Sequence, residues 1–305
     1  MRVLIITGDK KFFASPRFAL QAAQVERLEV VYWGHGSMWP IRYVDISKFQ
    51  PDVITVQDPF WRGFFAWWIA RRIGARLNIQ VHTDLFAQDS PKRFMAMARF
   101  VLRRADSVRV VSEKIKQQVE RAGVTAPIRV LPIYIDVSRF NNIVRHPSKS
   151  DLLGKIILWV GRFEDEKDPL LALEVIKKVP GAKLIMLGAG SLQGRLQAEV
   201  ARFNLAKDVE LPGWQDPAAY LAQVDVVLCT SRHESYGASI IEALAAGVPV
   251  VAPDVGVARE AGAEIVERSN LAQKVIEVLT SGQRGELKLQ LPSAQEWAKQ
   301  WKETL

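Results

Sequence analysis

The sequence is built from short, nearly continuous apolar runs that alternate with segments of helical spacing. Six such runs lie in the first half of the chain: Val3–Thr7, Leu28–Tyr32, Val53–Val56, Leu77–Val81, Val108–Val111 and Ile128–Leu131. Runs rich in Val, Ile and Leu, without polar alternation, are typical of parallel strands buried on both faces. Helical spacing fills the gaps at residues 63–73, 92–104 and 113–122. The alternation predicts an α/β chain with an open parallel sheet covered by helices.

The polar stretch at residues 145–151 interrupts this pattern, which then restarts. Its second set of runs is Lys155–Val160, Lys183–Leu187, Val209–Leu211, Val226–Cys229, Pro249–Ala252 and the weak pair Ile265-Val266. A chain of 305 residues fits two domains. We therefore predict two Rossmann-like domains, at residues 1–147 and 148–290. Residues 291–305 are predicted to hold a last helix, with Ser293 as its N-cap and Glu296 completing a capping box.

Composition places the chain among ordinary soluble globular proteins, with 49% hydrophobic and 24% charged residues. The single cysteine, Cys229, lies in an apolar run, excludes an intrachain disulfide framework and fits a reducing compartment. The opening MRVLIITGDKK indicates a short strand rather than a signal peptide. No run approaches the length of a transmembrane span. We expect a cytoplasmic protein, with the inner face of the cell membrane as the other expected location.

Positive charge is concentrated in the first half of the chain. Residues 1–150 hold 24 Lys/Arg against 12 Asp/Glu, whereas residues 151–305 hold 17 against 21. This asymmetry suggests that the first half meets something anionic, and a basic surface that only faces water explains it as well.

The stretch from Val224 to Pro253 combines a buried strand, a polar loop, a helix and a second strand. Gly237 lets the backbone approach a ligand closely, and the helix that begins there points its free N–H groups into the loop, which suits an anion. Glu234 in the loop and Glu242 on the helix can accept hydrogen bonds from vicinal hydroxyls. The pair suits a ligand with hydroxyls at both ends and phosphate in the middle, although a solvated helix face also explains two glutamates at this spacing.

A second polar cluster follows the first strand of the second half. Arg162 comes directly after Gly161, and Lys167 lies five positions further on. These cations lie at the carboxyl edge of the predicted sheet, where ligands bind in open α/β folds. Arginine can grip phosphate oxygens with a planar fork and lysine adds a point charge, whereas a solvated charge cluster is the alternative.

The segment S-R-H-E-S-Y-G-x-S-x-x-E-A-L-A-A-G-V-P-V-V-A, residues 231–252, closely resembles the signature of retaining GT-B glycosyltransferases of glycosyltransferase family 4, also called glycosyl transferases group 1. The resemblance covers nearly the whole chain and is strongest over residues 155–253. It implies the GT-B fold, in which two Rossmann-like domains face each other across a cleft. It also implies that the last helix returns to the first domain and that the second domain holds a nucleoside-diphosphate sugar.

The resemblance implies roles for individual residues. Glu242 would hold the ribose hydroxyls and Glu234 the sugar hydroxyls, while Arg162 and Lys167 would clamp the diphosphate. The other donor-binding residues that it implies are Gly161, Gly188, Gly190, Trp214, Gln215, Tyr236, Gly237, Ala238 and Ser239. For Trp214 there are two alternatives: its ring stacks on the base, or it belongs to the core of the domain. With cations supplied by the protein, and no Asp-x-Asp motif, no divalent metal is expected.

His82 follows a predicted strand of the first half, in Val81-His82-Thr83-Asp84. A lone histidine at such a place is more often structural. The resemblance implies instead that His82 points at the donor sugar, and we place it among the catalytic candidates, with Asp84 as a weaker one.

Two helical stretches of the first half, residues 63–76 and 91–104, combine aromatic or Met faces with arginines. Packing on the sheet explains them, while peripheral contact with an anionic membrane or a lipid-linked acceptor remains an expectation. No nucleic-acid recognition motif is present. Two departures from the family concern the acceptor: residues 8–11 lack the usual Gly-Gly loop, and the glycine-rich segment at residues 254–262 is short.

The resulting hypothesis is a metal-independent, retaining hexosyltransferase that uses a nucleoside-diphosphate sugar and a glycan or lipid-linked acceptor. Retention would follow from attack on the face that the diphosphate leaves, with double displacement through an enzyme nucleophile as the competing route. Two other functions stay open: a nucleotide-sugar epimerase of the same fold, and a sugar-nucleotide-binding protein without catalysis.

Overall fold

The computed structural model of this chain describes residues 1–34, 45–83, 85, 92–145 and 152–305. The chain forms two compact units, one from residues 1–134 together with 291–305 and the other from residues 135–290. Each unit is built on a six-stranded sheet in which every paired strand is parallel. The predicted fold class, two Rossmann-like α/β domains, is confirmed.

The sheet of the first unit has the order β2-β1-β3-β4-β5-β6. Its strands are β1 (Arg2–Thr7), β2 (Arg27–Tyr32), β3 (Val53–Val56), β4 (Arg76–Val81), β5 (Ser107–Val110) and β6 (Ile128–Val130). The helices before the second unit are α1 (Pro16–Ala22), α2 (Ile46–Phe49), α3 (Trp61–Ile73), α4 (Lys92–Leu102) and α5 (Glu113–Arg121). Every predicted strand of this half is present, because its continuous apolarity suits burial on both faces: all four residues of β3 are buried.

The sheet of the second unit has the order β12-β11-β10-β7-β8-β9. Its strands are β7 (Ile156–Val160), β8 (Lys183–Leu187), β9 (Val209–Gly213), β10 (Val226–Leu228), β11 (Val250–Ala252) and β12 (Glu264–Ile265). Its helices are α6 (Ser138–Asn141), α7 (Pro169–Ile176), α8 (Gln193–Arg202), α9 (Ala218–Leu221), α10 (Ala238–Ala245), α11 (Ala258–Ala261) and α12 (Leu271–Ser281). From β7 the strand order runs outward through β8 and β9, and from β10 it runs the other way through β11 and β12. The position between β7 and β10 is therefore the topological switch point.

The last helix, α13 (Ala294–Glu303), belongs to the first unit. It begins with the predicted capping box, in which Ser293 and Glu296 satisfy each other's backbone N–H groups. Trp297 and Trp301 are fully buried in the core of that unit, and the Trp297 Nε1 donates to the carbonyl oxygen of Pro132 at 2.8 Å. The helix is therefore a structural part of the first unit.

The boundary between the units lies earlier than predicted, after Tyr134 rather than at residue 147. The reason is that residues 135–145 pack on the second unit. Arg145 donates to the carbonyl oxygens of Gly247 at 2.6 Å and Val224 at 2.8 Å, and α6 packs against α10. Residues 146–151 of the polar stretch that suggested the boundary lie outside the described residues.

Across the described parts of the chain, no helix has both the length and the apolarity needed to span a bilayer.

Candidate active site

The candidate site lies at the switch point of the second sheet. The loop after β7 carries Arg162 and Lys167, and the loop after β10 carries Glu234. Since β7 and β10 are hydrogen-bonded neighbours, both loops leave the same carboxyl edge of the sheet side by side. Ligands of open α/β sheets bind outside this edge, where neighbouring strands lead their loops to opposite faces.

An ion pair joins the two loops. The Lys167 Nζ donates to the Glu234 Oε1, and the side chains are only 19% and 11% exposed. The Ser231 Oγ donates to the same carboxylate oxygen at 2.9 Å. Two predicted catalytic residues are thus brought into direct contact, in a partly desolvated setting where a charge pair is stronger than at an open surface.

The backbone around Lys167 is fixed by a polar cluster that the sequence motifs did not reveal. Asp168 has a positive φ of +45°, and its carboxylate accepts from Arg232 at 2.8 Å and also from Arg268. The Thr230 hydroxyl lies 2.9 Å from the carbonyl oxygens of both Lys167 and Asp168. The cluster holds Lys167 toward Glu234. Arg268 comes from a turn a hundred residues along the chain, so no local pattern points to it.

The turn before α10 presents open backbone donors. Gly237 is the N-cap of the helix, with a φ of +99° that favours glycine. Within the described residues, no acceptor lies on the N–H groups of Ala238 and Ser239. Because the first N–H groups of a helix have no partner inside the helix, this turn can bind an anion.

The neighbouring Tyr236 is buried, and its predicted contact with the donor stays a prediction. Its hydroxyl has no hydrogen-bond partner among the residues that the structure describes, and burial raises its pKa to about 12. A Cβ at Gly256 would collide with the Tyr236 carbonyl oxygen and lie 2.9 Å from the Cβ of Glu234. Close packing of this glycine thus supports the segment that carries Glu234.

Glu242 lies one turn further along α10 and is half-buried. Burial, and then the charge of the nearby Asp216, raise its pKa to about 7, while Arg139 opposes the shift. Asp216 is itself paired with Arg139. None of the described groups donates a hydrogen bond to the Glu242 carboxylate, so its oxygens can accept from a ligand.

Arg162 is exposed and donates to Glu166 at 2.6 Å, one turn away. It follows the predicted strand as expected, and its hydrogen bond to Glu166 directs the guanidinium along its own loop. Its role in a diphosphate clamp stays a prediction.

The predicted glycines of the neighbouring loop have a packing role. A Cβ on Gly188 would overlap the carbonyl oxygen of Gly161, and the φ of Gly188 is +155°. A Cβ on Gly190 would lie 2.5 Å from the carbonyl oxygen of Phe163. These glycines let the loops after β7 and β8 lie directly against each other.

Trp214 lies on the surface after β9 with 60% of its side chain exposed, so it is not a core residue. Gln215 beside it is also exposed and reaches the Pro212 carbonyl oxygen at 3.4 Å. An exposed indole is available to stack on a flat ring, and its contact with a base stays a prediction.

His82 lies in the first unit, directly after β4. Its Nε2 is buried and has no hydrogen-bond partner among the described residues. Burial, then the charges of Arg109 and Arg17, hold the pKa of the imidazole well below its usual range, so the ring is neutral at pH 7. Its predicted contact with a donor sugar stays a prediction. Asp84, the weaker candidate, lies outside the described residues.

The arrangement defines a class: an α/β protein with a lysine–carboxylate pair and an open helix N-terminus at the switch point of a Rossmann-like sheet. Residues 154–281 match the family model described as "Glycosyl transferases group 1", and residues 2–133 match the "Glycosyl transferase 4-like domain". Each half of the chain is thus similar to a glycosyltransferase domain, and the two Rossmann-like domains are the architecture of GT-B glycosyltransferases.

Two bacterial glycosyltransferases are similar to this chain over 49% and 70% of its length. The lipopolysaccharide core biosynthesis glycosyltransferase LpsE of Rhizobium meliloti is 29% identical over 49% of this chain and 44% of its own length. The GDP-mannose-dependent alpha-mannosyltransferase of Mycobacterium tuberculosis is 31% identical over 70% of this chain and 58% of its own length. The alignments thus span about half the length of these curated relatives.

Solved structures share the fold at low identity. HepE of Anabaena, crystallised with UDP and glucose, has a TM-score of 0.73 at 16% identity. The match covers 100% of this chain and 99% of that one. This likeness establishes the fold.

Proposed function

We propose that this protein transfers a hexose-type sugar from a nucleoside-diphosphate sugar to a glycan or lipid-linked acceptor, with retention at the anomeric carbon. The observation that carries the proposal is the Lys167–Glu234 pair at the switch point, beside the open N–H groups of Ala238 and Ser239. This places fixed positive charge next to a carboxylate that can accept from hydroxyls.

The chemistry needs positive charge where the diphosphate departs. Lys167 and the amides at the start of α10 would supply this charge, and fixed donors of this kind supply the largest contribution to catalysis in many enzymes. Arg162 would join them by leaving Glu166. An exposed ion pair contributes only about 0.2–1 kcal/mol, so a phosphate can replace the carboxylate.

The carboxylates of Glu234 and Glu242 would bind hydroxyls at the two ends of the donor. Glu234 would accept from sugar hydroxyls, and Glu242 from the ribose hydroxyls. With the charge supplied by side chains and amides, no divalent metal takes part, and transfer is expected to continue in EDTA. Retention would follow from acceptor attack on the face that the diphosphate leaves, with the leaving phosphate as base.

The relatives support a sugar-nucleotide donor. One is described as GDP-mannose-dependent and a structural neighbour was crystallised with UDP and glucose, so the base is left to experiment. The basic first unit would bring the acceptor side toward an anionic membrane, at the inner face of the cell membrane.

A thermal-shift screen against UDP, GDP, ADP and their sugars tests donor binding. A ligand at a hundred times its Kd adds about 2.7 kcal/mol to the free energy of unfolding, so one nucleotide is expected to raise the Tm. Arg162→Ala is expected to lose that shift and the transfer activity, while Arg195→Ala, an exposed arginine on α8, keeps both.

The same samples separate the alternatives. Turnover of the donor without any acceptor would indicate an epimerase, and a thermal shift without turnover under any condition would indicate a binding protein. Unchanged transfer in Arg162→Ala would contradict the clamp, and an inverted anomer in the product, read by NMR, would contradict retention.

Glu242 gives a pH prediction. Its pKa of about 7 lies above the ordinary value of 4.5, so the folded chain takes up the proton more readily than the unfolded chain. Its contribution to stability is therefore most favourable below about pH 4.5 and is lost as the pH rises through 7. Glu242→Gln is expected to be more stable than the wild type by roughly 1–3 kcal/mol at pH 8, discounted for partial exposure, and by much less at pH 5.

Thermal melts at pH 5 and pH 8 check this result, with Glu210→Gln on the exposed side of β9 as the matched control. Glu242→Gln is expected to weaken donor binding although it raises stability, because the neutral amide is a weaker acceptor for the ribose hydroxyls. Equal melting of wild type and Glu242→Gln at pH 8 would show that Glu242 is not desolvated.

A further inference from the structure

Arg268 binds the loop that carries Lys167, although it lies about a hundred residues further along the chain. It begins a short 3-10 turn ahead of α12, outside the motifs that predict the site. Its guanidinium donates to the carboxylate of Asp168 and to the backbone carbonyl oxygen of Thr230. One side chain thus joins the loop after β7 to the segment after β10.

Asp168, the direct neighbour of Lys167, has a left-handed backbone. Its φ is +45°, a conformation that glycine, asparagine and aspartate adopt most readily and that persists where the surroundings fix it. Its side chain is 14% exposed, and one carboxylate oxygen, Oδ2, accepts from both Arg232 and Arg268. Charge-assisted hydrogen bonds are strong where water is largely excluded. Two arginines from other loops therefore fix the residue that follows the lysine.

Thr230 anchors the backbone of the lysine itself. The threonine is completely buried, and its hydroxyl lies 2.9 Å from the carbonyl oxygens of both Lys167 and Asp168. Because Arg268 holds the carbonyl oxygen of the same threonine, its guanidinium and the hydroxyl act together on this backbone. With the backbone fixed in this way, the Lys167 side chain reaches Glu234 while only 19% exposed.

We propose that Arg268, acting through Asp168, is a positioning residue that directs Lys167 toward the departing diphosphate. Removing its guanidinium leaves the Asp168 carboxylate with one arginine and releases the Thr230 carbonyl, so the loop relaxes and the lysine Nζ moves. A misplacement of about 1 Å can lower a rate by about a hundredfold. The inference rests on the proposed function, which gives Lys167 its role, and Arg268 acts through the lysine rather than on the donor.

The first test is the chemical reactivity of Lys167, which does not depend on catalysis. Acetic anhydride modifies exposed lysines faster than covered ones, and peptide mass spectrometry follows each site, with the exposed Lys178 as internal reference. Lys167 is expected to react several-fold faster in Arg268→Ala and in Asp168→Asn than in the wild type. Asparagine tolerates the left-handed backbone but lacks the charge. Arg202→Ala, which breaks an arginine–glutamate pair on α8, is the matched control and should leave the rate unchanged.

The second test asks whether the loss of activity passes through the lysine. Arg268→Ala is expected to lower kcat for sugar transfer by about 10- to 100-fold. In the Lys167→Ala background the same change should cost less than about twofold, because no lysine is left to position. A merely structural role would lower kcat by the same factor in both backgrounds.

Two results would overturn the proposal. One is an unchanged acetylation rate of Lys167 in both Arg268→Ala and Asp168→Asn, and the other is a loss of kcat that multiplies with that of Lys167→Ala. If Arg268→Ala does not fold, Asp168→Asn carries both tests. A wild type that neither binds a nucleotide nor transfers a sugar would contradict the proposed function alone, since the acetylation rate still reports where Arg268 holds the lysine.

Discussion

Replacing Lys167 with alanine is expected to lower kcat for sugar transfer by about 10²–10³, the usual effect of removing one fixed donor from a developing negative charge. Lys167 is a candidate cation that touches a candidate catalytic carboxylate, Glu234. Its loss removes charge from the leaving diphosphate and leaves the Glu234 side chain held by Ser231 without the ion pair. The measurement is steady-state transfer with the nucleotide sugar selected by thermal shift, and Lys178→Ala, an exposed lysine, serves as the control.

The Lys167–Glu234 contact also predicts how two changes combine. Since the residues act as one unit, Lys167→Ala with Glu234→Ala should cost little more than the worse single change. Losses of kcat that multiply would show that the residues act independently. Full activity in Lys167→Ala would remove the lysine from the mechanism.

Replacing Gly188 with alanine is expected to destabilise the second unit by about 3 kcal/mol or more, since it forces the backbone apart and strains a positive φ. The added Cβ would meet the backbone carbonyl oxygen of Gly161, which no side-chain rotation can relieve. Urea denaturation followed by circular dichroism measures the loss. The matched control is Gly194→Ala in α8, where a Cβ meets nothing within 4 Å; it should gain up to about 1 kcal/mol from helix propensity.

A wild-type melting temperature in Gly188→Ala would contradict the close approach of the two loops. Loss of donor binding without loss of stability would instead favour a direct role of Gly188 in the site, as the resemblance implied.

The strands could be predicted because their signal is local. A parallel strand covered on both faces is nearly continuous in apolar residues, so β3 appears in the sequence with the same bounds as in the structure. The capping box of α13 is equally local, because Ser293 and Glu296 need only each other. The order of strands and the switch point follow from pairings that no single run encodes.

Long-range contacts account for what the sequence did not reveal. The unit boundary is shifted because Arg145 binds carbonyl oxygens of residues 224 and 247, and a backbone acceptor has no sequence signature. Asp168 and Arg268 meet across a hundred residues, so neither belongs to a motif. Lys167 and Glu234 were each predicted at the site, with separate roles, but their direct pairing depends on two loops meeting at neighbouring strands.

Burial of Trp297 and Trp301 in the first unit has a consequence for biosynthesis. On the ribosome, the strands of that unit emerge first, yet the tryptophans that pack in one core with Val3 and Ile5 are translated only after residues 135–290. Residues 135–290, by contrast, are contiguous and can fold as soon as they emerge. Domains usually mature in the order of translation, whereas here the later unit is expected to be complete first, and the earlier one waits for residues 291–305.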